Sequence, residues 1–184
     1  MRGRFAALSI VGVLLAAAVP VRGEVVESTA AGFAVRNVTT IDASPMKVYA
    51  ALTDKVAAWW DPIHTFSHDS RNLNLEARPG GCFCERFPDG GGVEHMRVLY
   101  ASPGKLLRLS GAIGPLQEAA IAGTMTWSLS PAGSGTSVEL TYAVGGFRVG
   151  GFRDLPTVVD GVVRGQLGRL KAFVETGRPT AGSR

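Results

Sequence analysis

The middle of the chain is a series of short apolar segments separated by glycine- and proline-rich turns. Turn sequences such as PDGGG at 88–92 and PAGSG at 131–135 divide the segments at regular intervals. This spacing indicates a meander of antiparallel strands. The predicted strands lie at 33–42, 73–77, 82–87, 93–100, 106–110, 123–130 and 136–144.

A different pattern follows the last predicted strand. From residue 155 to residue 174, apolar side chains recur at helical spacing, which predicts a helix of about five turns. Gly177 and Pro179 end it. Glycines at 161, 165 and 168 lie inside this helix, where each costs about 1 kcal/mol relative to alanine. We expect them to allow close approach to the sheet or to leave room beside a bound molecule.

Two short helices are predicted between the first and second strands. Ser44 is a suitable N-cap and Pro45 suits the first helical turn, so a helix is expected over 46–52. A second short helix is expected over 57–60 and ends before Asp61-Pro62. The order of elements predicts an α+β fold, in which a curved antiparallel sheet of about seven strands wraps around a long C-terminal helix.

The first 23 residues have the composition of a secretory signal peptide. Arg2 and Arg4 precede an apolar run over 5–19, and small residues follow. The run is short for a bilayer span, which needs about 20 residues; an uncleaved membrane anchor is the alternative. The predicted boundaries are a signal peptide at 1–23, one domain at 24–177 and a flexible tail at 178–184.

Removal of residues 1–23 changes the charge balance. The whole chain has a net charge of +4, and the predicted signal peptide contains three arginines and no acidic residue, so the mature charge is about +1. No cluster of lysine and arginine is left, which argues against nucleic acid as a partner. No later apolar stretch is long enough to span a membrane. We expect an exported protein, periplasmic or secreted, of a bacterium.

Four motifs resemble the START-like, or SRPBCC, superfamily, which has the helix-grip fold. The first is IDASP at 41–45 followed by VYAALT at 48–53. The second is Trp59-Trp60 followed by Pro62. The third is RPGGCF at 78–83, and the fourth is Pro103 with Leu106-Leu107. The nearest branch is the one named for the activator of a heat-shock-protein ATPase, which includes polyketide-cyclase-like and lipid-transport-like members.

The resemblance covers nearly all of residues 33–175. It implies a cavity between the sheet and the C-terminal helix, and it identifies the fold more closely than the function, because one fold serves many functions. An export signal is unusual for the branch that activates an ATPase.

Alternation along the predicted strands divides their side chains between two faces. The apolar faces should look towards the C-terminal helix, and the segment that contains Trp60 and Phe66 should cover one end. The expected ligand-binding residues are Trp60, Phe66, Phe83, Glu85, Phe87, Met96, Val98, Trp127, Tyr142, Val159, Val163 and Leu167. The same alternation places Tyr100 with Met96 and Val98, and it places His95 on the opposite face.

Glu85 is an acid between two aromatic residues on a face predicted to be buried. A buried carboxylate is unfavourable unless it is paired. Glu85 is therefore an acid that orients a ligand, a paired core acid, or a sign that the face assignment is wrong. Candidates for acid–base chemistry are Glu85, His64, His95 and Tyr142.

Cys82 and Cys84 point to the same face of one strand. A disulfide between them needs a bulge or a turn, because regular strand geometry holds the pair near the long end of disulfide reach. Metal ligation and two unpaired cysteines are the other readings. The sequence contains no nucleophile motif and no phosphate-binding loop, so we expect neither a metal ion nor a cofactor.

Three functions are consistent with these features. The first is an exported domain that binds a small hydrophobic or amphipathic molecule in its cavity. The second is an enzyme of the cyclase, aromatase or hydrolase kind, which requires Glu85 to meet a histidine or tyrosine within hydrogen-bond reach. The third is an envelope protein-interaction domain without a ligand, which requires a closed interior.

Overall fold

The computed structural model describes residues 20–179. Eight strands form one sheet, and a long helix packs against it. Three short 3-10 helices lie at Pro62–His64, Ser70–Asn72 and Gly114–Glu118. The strands and α-helices are β1 (Arg22–Ser28), β2 (Gly32–Ile41), α1 (Pro45–Asp54), α2 (Val56–Trp59), β3 (Leu73–Leu75), β4 (Cys82–Arg86), β5 (Gly92–Ser102), β6 (Leu106–Ser110), β7 (Ala120–Ala132), β8 (Gly135–Phe147) and α3 (Leu155–Thr176).

The sheet is antiparallel throughout, in the order β1-β2-β8-β7-β6-β5-β4-β3. The segment with α1 and α2 carries the chain from β2 to the far edge, and the remaining strands return as a meander until β8 pairs with β2. The predicted α+β class is confirmed. The sheet has eight strands instead of about seven, and the additional strand is β1. It was not predicted because it is an edge strand whose residues are nearly all exposed and show no alternation of burial.

The predicted signal peptide falls mainly on residues 1–19, which lie outside the described residues, as do 180–184 of the predicted tail. Arg22 and Gly23 belong to β1, where they pair with Val38 and Asn37 of β2. The strand therefore starts two residues before the predicted cleavage point. Cleavage after Gly23 would remove these two pairs and keep those from Glu24 onwards.

The ends of the helices follow the local signals of the sequence. The Ser44 side chain accepts a hydrogen bond from the Lys47 backbone N–H, and Pro45 is the first residue of α1. At the other end of the fold, Gly177 ends α3 with a left-handed φ of 76°, a conformation that glycine adopts without steric cost.

The hydrophobic core lies between the sheet and the greater part of α3. Val163, Leu167 and Leu170 of α3 are almost completely buried, as are Trp127 of β7 and Leu140 of β8. Each such side chain contributes about 1.5–3 kcal/mol of favourable burial. This part of the helix packs directly on the sheet, so any open space must lie elsewhere along it.

The helix glycines do not lie against the sheet. A methyl group built on Gly161 or Gly165 would have no atom within 4 Å, and one on Gly168 would meet only Val21, at 3.8 Å. The expectation that they allow close approach to the sheet is therefore wrong. All three are half-buried positions on the side of α3 away from the tight packing.

Two irregularities in β5 change which side chains face the core. Phe83 pairs with Met96 but Cys84 pairs with Glu94, so His95 is an extra residue on β5 and is buried beside Met96. Strict alternation had placed His95 on the outer face, and the bulge turns it inwards.

The second irregularity reverses the placement of Tyr100. Val98 pairs with Leu109 and Tyr100 pairs with Arg108, which leaves Leu99 as an extra residue. The alternation is shifted by one residue beyond this point, and Tyr100 is 51% exposed. The prediction that Tyr100 shares the inner face with Met96 and Val98 is wrong for this reason.

Candidate functional site

A cavity of about 410 Å³ lies at the N-terminal end of α3. Three other parts of the chain complete its wall: the segment after α2, the loop between β6 and β7, and His95 of β5. The wall residues are Trp60, Ile63, His64, Thr65, Phe66, His95, Ile113, Gly114, Pro115, Leu116, Leu155, Val158, Val159 and Val162.

The cavity wall is almost wholly apolar. Its polar side chains are His64, Thr65 and His95, and none of the described wall residues is an acid, a lysine or an arginine. The Thr65 hydroxyl already donates a hydrogen bond of 2.7 Å to the Pro62 carbonyl. His64 is exposed to solvent, whereas His95 is only 4% exposed. His95 is therefore the one buried imidazole in the described part of this wall.

His95 is held by Glu85 of the neighbouring strand. The His95 Nε2 atom lies 3.0 Å from Oε2 of Glu85, and both side chains are buried. The imidazole ring is stacked on Phe66, with a ring-centroid distance of 5.9 Å, and it packs against Phe83 at 5.2 Å. Two aromatic rings and one carboxylate thus fix its orientation.

Glu85 also accepts two backbone hydrogen bonds from residues 60–67, the covering segment, which closes one side of the cavity. The Phe66 N–H donates to Oε2 at 3.0 Å and the Ser67 N–H donates to Oε1 at 2.6 Å. Burial by itself would raise the pKa of Glu85, but the hydrogen bonds from Ser67, Phe66 and His95 outweigh it and lower that pKa. Glu85 is therefore an ionised, fully paired core acid at neutral pH.

Burial favours the neutral form of the His95 imidazole. It lowers the pKa of the imidazole, and the adjacent carboxylate of Glu85 offsets only part of this effect. The pair therefore consists of a carboxylate and a neutral imidazole. A carboxylate only accepts hydrogen bonds, so the proton of the ring lies on Nε2.

The covering segment is also attached to α3. Arg169 donates a hydrogen bond of 2.8 Å to the Trp59 carbonyl, and the Gln166 side-chain oxygen accepts one of 3.0 Å from the Asp61 N–H. Within the segment, the Trp60 indole N–H donates to the His64 carbonyl at 3.2 Å. The position of this part of the wall is therefore set by β4 on one side and by α3 on the other.

Tyr142 of β8 fastens the opposite part of the wall. Its hydroxyl donates to the Gly111 carbonyl at 3.0 Å and accepts from the Ile113 N–H at 3.3 Å. Burial raises the pKa of Tyr142 to about 12, so the hydroxyl stays protonated and keeps both bonds at neutral pH. Tyr142 thus positions the loop that begins at Gly111 without being a wall residue itself.

Residues 32–175 match the family described as polyketide cyclase / dehydrase and lipid transport. The chain belongs to this family. No curated protein matches the sequence.

Solved structures of several bacterial proteins share the fold. The Aha1 dimer from Colwellia psychrerythraea is 23% identical, with a TM-score of 0.59 over 78% of this chain and 97% of that one. The Mll3558 protein from Rhizobium loti is 24% identical, with a TM-score of 0.57 over 83% and 97%. CalU16 from Micromonospora echinospora is 17% identical, with a TM-score of 0.52 over 88% of each chain. At these sequence identities, the similarity shows that this family member shares their fold.

Five of the candidate residues from the sequence meet at the cavity of this family member. Trp60, Phe66 and Val159 from the expected ligand-binding set lie in its wall, as do His64 and His95 from the acid–base set. Glu85 lies directly behind His95. The requirement that Glu85 meet a histidine within hydrogen-bond reach is therefore fulfilled.

The other expected ligand-binding residues do not line the cavity. Phe87 is half-buried after the end of β4. The remainder are closely packed core residues: Phe83, Met96, Val98, Trp127, Tyr142, Val163 and Leu167. Phe83 and Trp127 border a void of about 20 Å³, which holds roughly one water molecule. They do not line the cavity because neighbouring side chains fill the space in front of them.

Several wall residues were not predicted. Ile63 and Val158 are 69% and 61% exposed, and Ile113 and Leu116 come from the loop between β6 and β7. For Ile63, Ile113 and Leu116 the available signal was an apolar residue in a predicted loop. The segment with Trp60 and Phe66 was expected to cover one end of the cavity, but nothing in the sequence assigned the loop at 111–117 to the wall.

Cys82 and Cys84 form a disulfide, with Cα atoms 5.4 Å apart. The extra residue at this point is His95 of β5, so the bulge lies on the partner strand. The cysteine Cα atoms are closer than the roughly 6.6–6.8 Å of a regular strand, so β4 itself is contracted between them. The bonded sulfur atoms offer no thiolate to a metal ion, so the metal reading does not apply to this form. Among the described residues, no helix combines the length and hydropathy needed to cross a membrane.

Proposed function

We propose that this chain binds a small, largely apolar molecule in the cavity at the N-terminal end of α3. The observation that supports this is a space of about 410 Å³ whose wall is apolar apart from two histidines and one threonine. Cavities that take small molecules have volumes of about 300–1,000 Å³, with mainly apolar walls and a few polar groups. The family description, which includes lipid transport, agrees with an apolar ligand.

The proposal is tested by filling the cavity. Val162 lines it, whereas Thr157 is exposed on the same helix and is not a wall residue. The uncharged fluorophore N-phenyl-1-naphthylamine should bind the unchanged protein saturably. We expect Val162→Trp to weaken this binding at least about tenfold and Thr157→Trp to leave it within about twofold, since a tenfold change corresponds to about 1.4 kcal/mol. Equal binding by both variants, or no saturable binding at all, would contradict the proposal.

Export is part of the same proposal. The composition of residues 1–23 supports it, and so does the Cys82–Cys84 disulfide, because disulfides persist mainly in oxidising compartments. The intact mass of protein taken from a bacterial periplasm tests both points. We expect a chain that lacks its N-terminal residues. Its mass should be two units below that of the same chain with both cysteines reduced, because a disulfide has lost two hydrogen atoms. A full-length chain with free thiols, found only in the cytoplasm, would contradict export.

Acid–base catalysis in the same cavity is a second candidate function. The observation that favours it is the neutral imidazole of His95 in the wall, hydrogen-bonded to the Glu85 carboxylate at 3.0 Å. A histidine oriented by a carboxylate is a common general base. The apolar compound 5-nitrobenzisoxazole, whose ring opens when a base removes one proton, tests it. Saturable acceleration that is lost in His95→Phe supports catalysis, and equal rates for both proteins contradict it.

A further inference from the structure

We infer that the ligand carries a hydroxyl group, of the phenol or alcohol class, and donates its hydrogen bond to Nδ1 of His95. This inference rests on the proposed binding function and specifies the chemistry of its ligand. The supporting features are the position of His95 in the cavity wall, its burial, and the occupation of its other ring nitrogen by Glu85.

Three observations lead us to infer that Nδ1 of His95 borders the cavity. Within residues 20–179, no hydrogen-bond partner is found for it. In this range, two side-chain polar atoms are both completely enclosed and without a partner: Oδ1 of Asn37 and the Tyr49 hydroxyl. Nδ1 of His95 is not among them, so it is not completely enclosed. His95 as a whole is only 4% exposed. The open space that borders it is the cavity, so Nδ1 is the ring nitrogen available to a bound molecule.

Glu85 decides that Nδ1 is an acceptor. Its two oxygens receive the Phe66 and Ser67 backbone N–H groups, so the carboxylate is held in the ionised form and takes the Nε2 proton of His95. A neutral imidazole with its proton on Nε2 has a lone pair on Nδ1. The cavity therefore presents a buried imidazole nitrogen as a hydrogen-bond acceptor in an apolar wall.

The other polar groups of the wall are weaker competitors for this role. The Thr65 hydroxyl donates its proton to the Pro62 carbonyl, so towards a ligand it can only accept, and a hydroxyl oxygen is a weaker acceptor than an imidazole nitrogen. His64 is exposed enough to be hydrated. A hydrocarbon in the cavity leaves Nδ1 without a partner, which is unfavourable for a buried acceptor. A carbonyl or carboxylate places its own lone pairs against that of Nδ1, and a carboxylate is also repelled by Glu85. A neutral molecule with a hydroxyl group satisfies the site.

A pair of probes of nearly equal shape tests the inference. The compounds 2-naphthol and 2-methylnaphthalene differ by a hydroxyl against a methyl group, and both are fluorescent. We expect the unchanged protein to bind 2-naphthol about tenfold more tightly, although it is the less apolar of the two. In His95→Phe, which keeps an aromatic ring between Phe66 and Phe83, the order should reverse.

His68→Asn is the matched control. His68 is a histidine of the same segment that is not a wall residue, and its φ of 57° is one that asparagine tolerates. This variant should keep the preference for 2-naphthol. Retention of the preference in His95→Phe, or its loss in His68→Asn as well, would overturn the inference.

The outcomes separate this inference from the function on which it rests. Saturable binding of both probes with equal affinity overturns the hydroxyl preference and leaves the apolar binding function standing. No saturable binding of either probe, or of N-phenyl-1-naphthylamine, overturns both.

A measurement without any variant tests the same point. The ¹⁵N spectrum of the histidine side chains should show His95 with its proton on Nε2, and addition of 2-naphthol should shift its Nδ1 signal. A proton on Nδ1 in the free protein would overturn the inference.

Discussion

His95 Nε2 lies 3.0 Å from Oε2 of Glu85, although alternation along β5 assigns His95 to the opposite face of the sheet. The extra residue in β5 brings the two side chains together. Because Glu85 also holds the backbone of Phe66 and Ser67, one carboxylate connects the strand, the imidazole and the segment that covers the cavity.

Replacement of Glu85 should destabilise the fold. Glu85→Gln puts an amide N–H₂ where a carboxylate oxygen accepts hydrogen bonds, so at least one of its three donors loses its acceptor. We expect a loss of about 2–3 kcal/mol in the free energy of unfolding. Glu94→Gln is the control, since Glu94 is an exposed partner of Arg97 on the next strand, and an exposed pair contributes about 1 kcal/mol or less. Urea unfolding of both variants measures the difference, and equal losses would contradict the assignment.

Stability should decrease as the pH falls below about 6.5, the ordinary pKa of histidine. Burial lowers the pKa of His95 in the folded protein, so the unfolded chain takes up this proton first as the pH falls. The contribution of His95 is complete above the unfolded pKa and is lost as the pH falls towards the folded one. His95→Phe should reduce the slope of unfolding free energy between pH 7 and pH 5. An unchanged slope would show that His95 is not the group responsible.

A second loss of stability is expected at more acidic pH. The hydrogen bonds to Glu85 lower its pKa in the folded protein, so its contribution is present above the unfolded pKa of about 4.3 and is lost as the pH falls through the folded value. Hydrogen exchange of the Phe66 and Ser67 amides should accelerate in this range relative to other buried amides. Unchanged relative protection would argue against Glu85 as their acceptor.

Two buried tyrosines offer a matched pair of substitutions. Tyr142→Phe removes both hydrogen bonds to the loop that begins at Gly111, so we expect a loss of about 1–2 kcal/mol and faster amide exchange at Ile113. The Tyr49 hydroxyl is buried and has no partner within the described residues. Tyr49→Phe should therefore be neutral or slightly stabilising. Thermal unfolding compares the two, and a greater loss for Tyr49→Phe would contradict the structure.

Alanine at two helix glycines should stabilise the protein. Gly161 and Gly165 lie in α3, and a methyl group at either position meets no atom within 4 Å. We expect Gly161→Ala and Gly165→Ala to add about 1 kcal/mol each, because alanine has the higher helix propensity. In contrast, Gly123→Ala should destabilise, since its methyl group would lie 2.6 Å from Cε2 of Tyr142. Loss of stability in the helix variants would mean that α3 packs against something at this face.

The parts of the fold with strong local causes were predictable. Ser44 and Pro45 set the start of α1, Gly177 sets the end of α3, and the glycine- and proline-rich turns divide the meander. Strand β1 was missed because both of its faces are largely exposed, so burial imposes no alternation on its sequence. The motifs of the family were sufficient to assign the fold class, which the match over residues 32–175 supports.

The candidate site was predictable only in part. Trp60, Phe66 and Val159 lie on segments that must face the interior, and the cavity has them in its wall. Trp127 and Leu167 meet the same criterion but lie in the closed core. The sequence shows that a residue faces inwards, but it does not show whether another side chain fills the space in front of it.

The sequence by itself determined the order of elements from β2 onwards, the class of fold and the presence of a carboxylate on an inner face, because turn chemistry, helix caps and periodicity act over a few residues. The tertiary structure alone decided that His95 meets Glu85 and that the cavity lies at one end of α3. The contact between His95 and Glu85 depends on a one-residue shift in the pairing of β4 with β5. The location of the cavity depends on which side chains fill the space between the sheet and α3. Both are properties of contacts between residues distant in sequence.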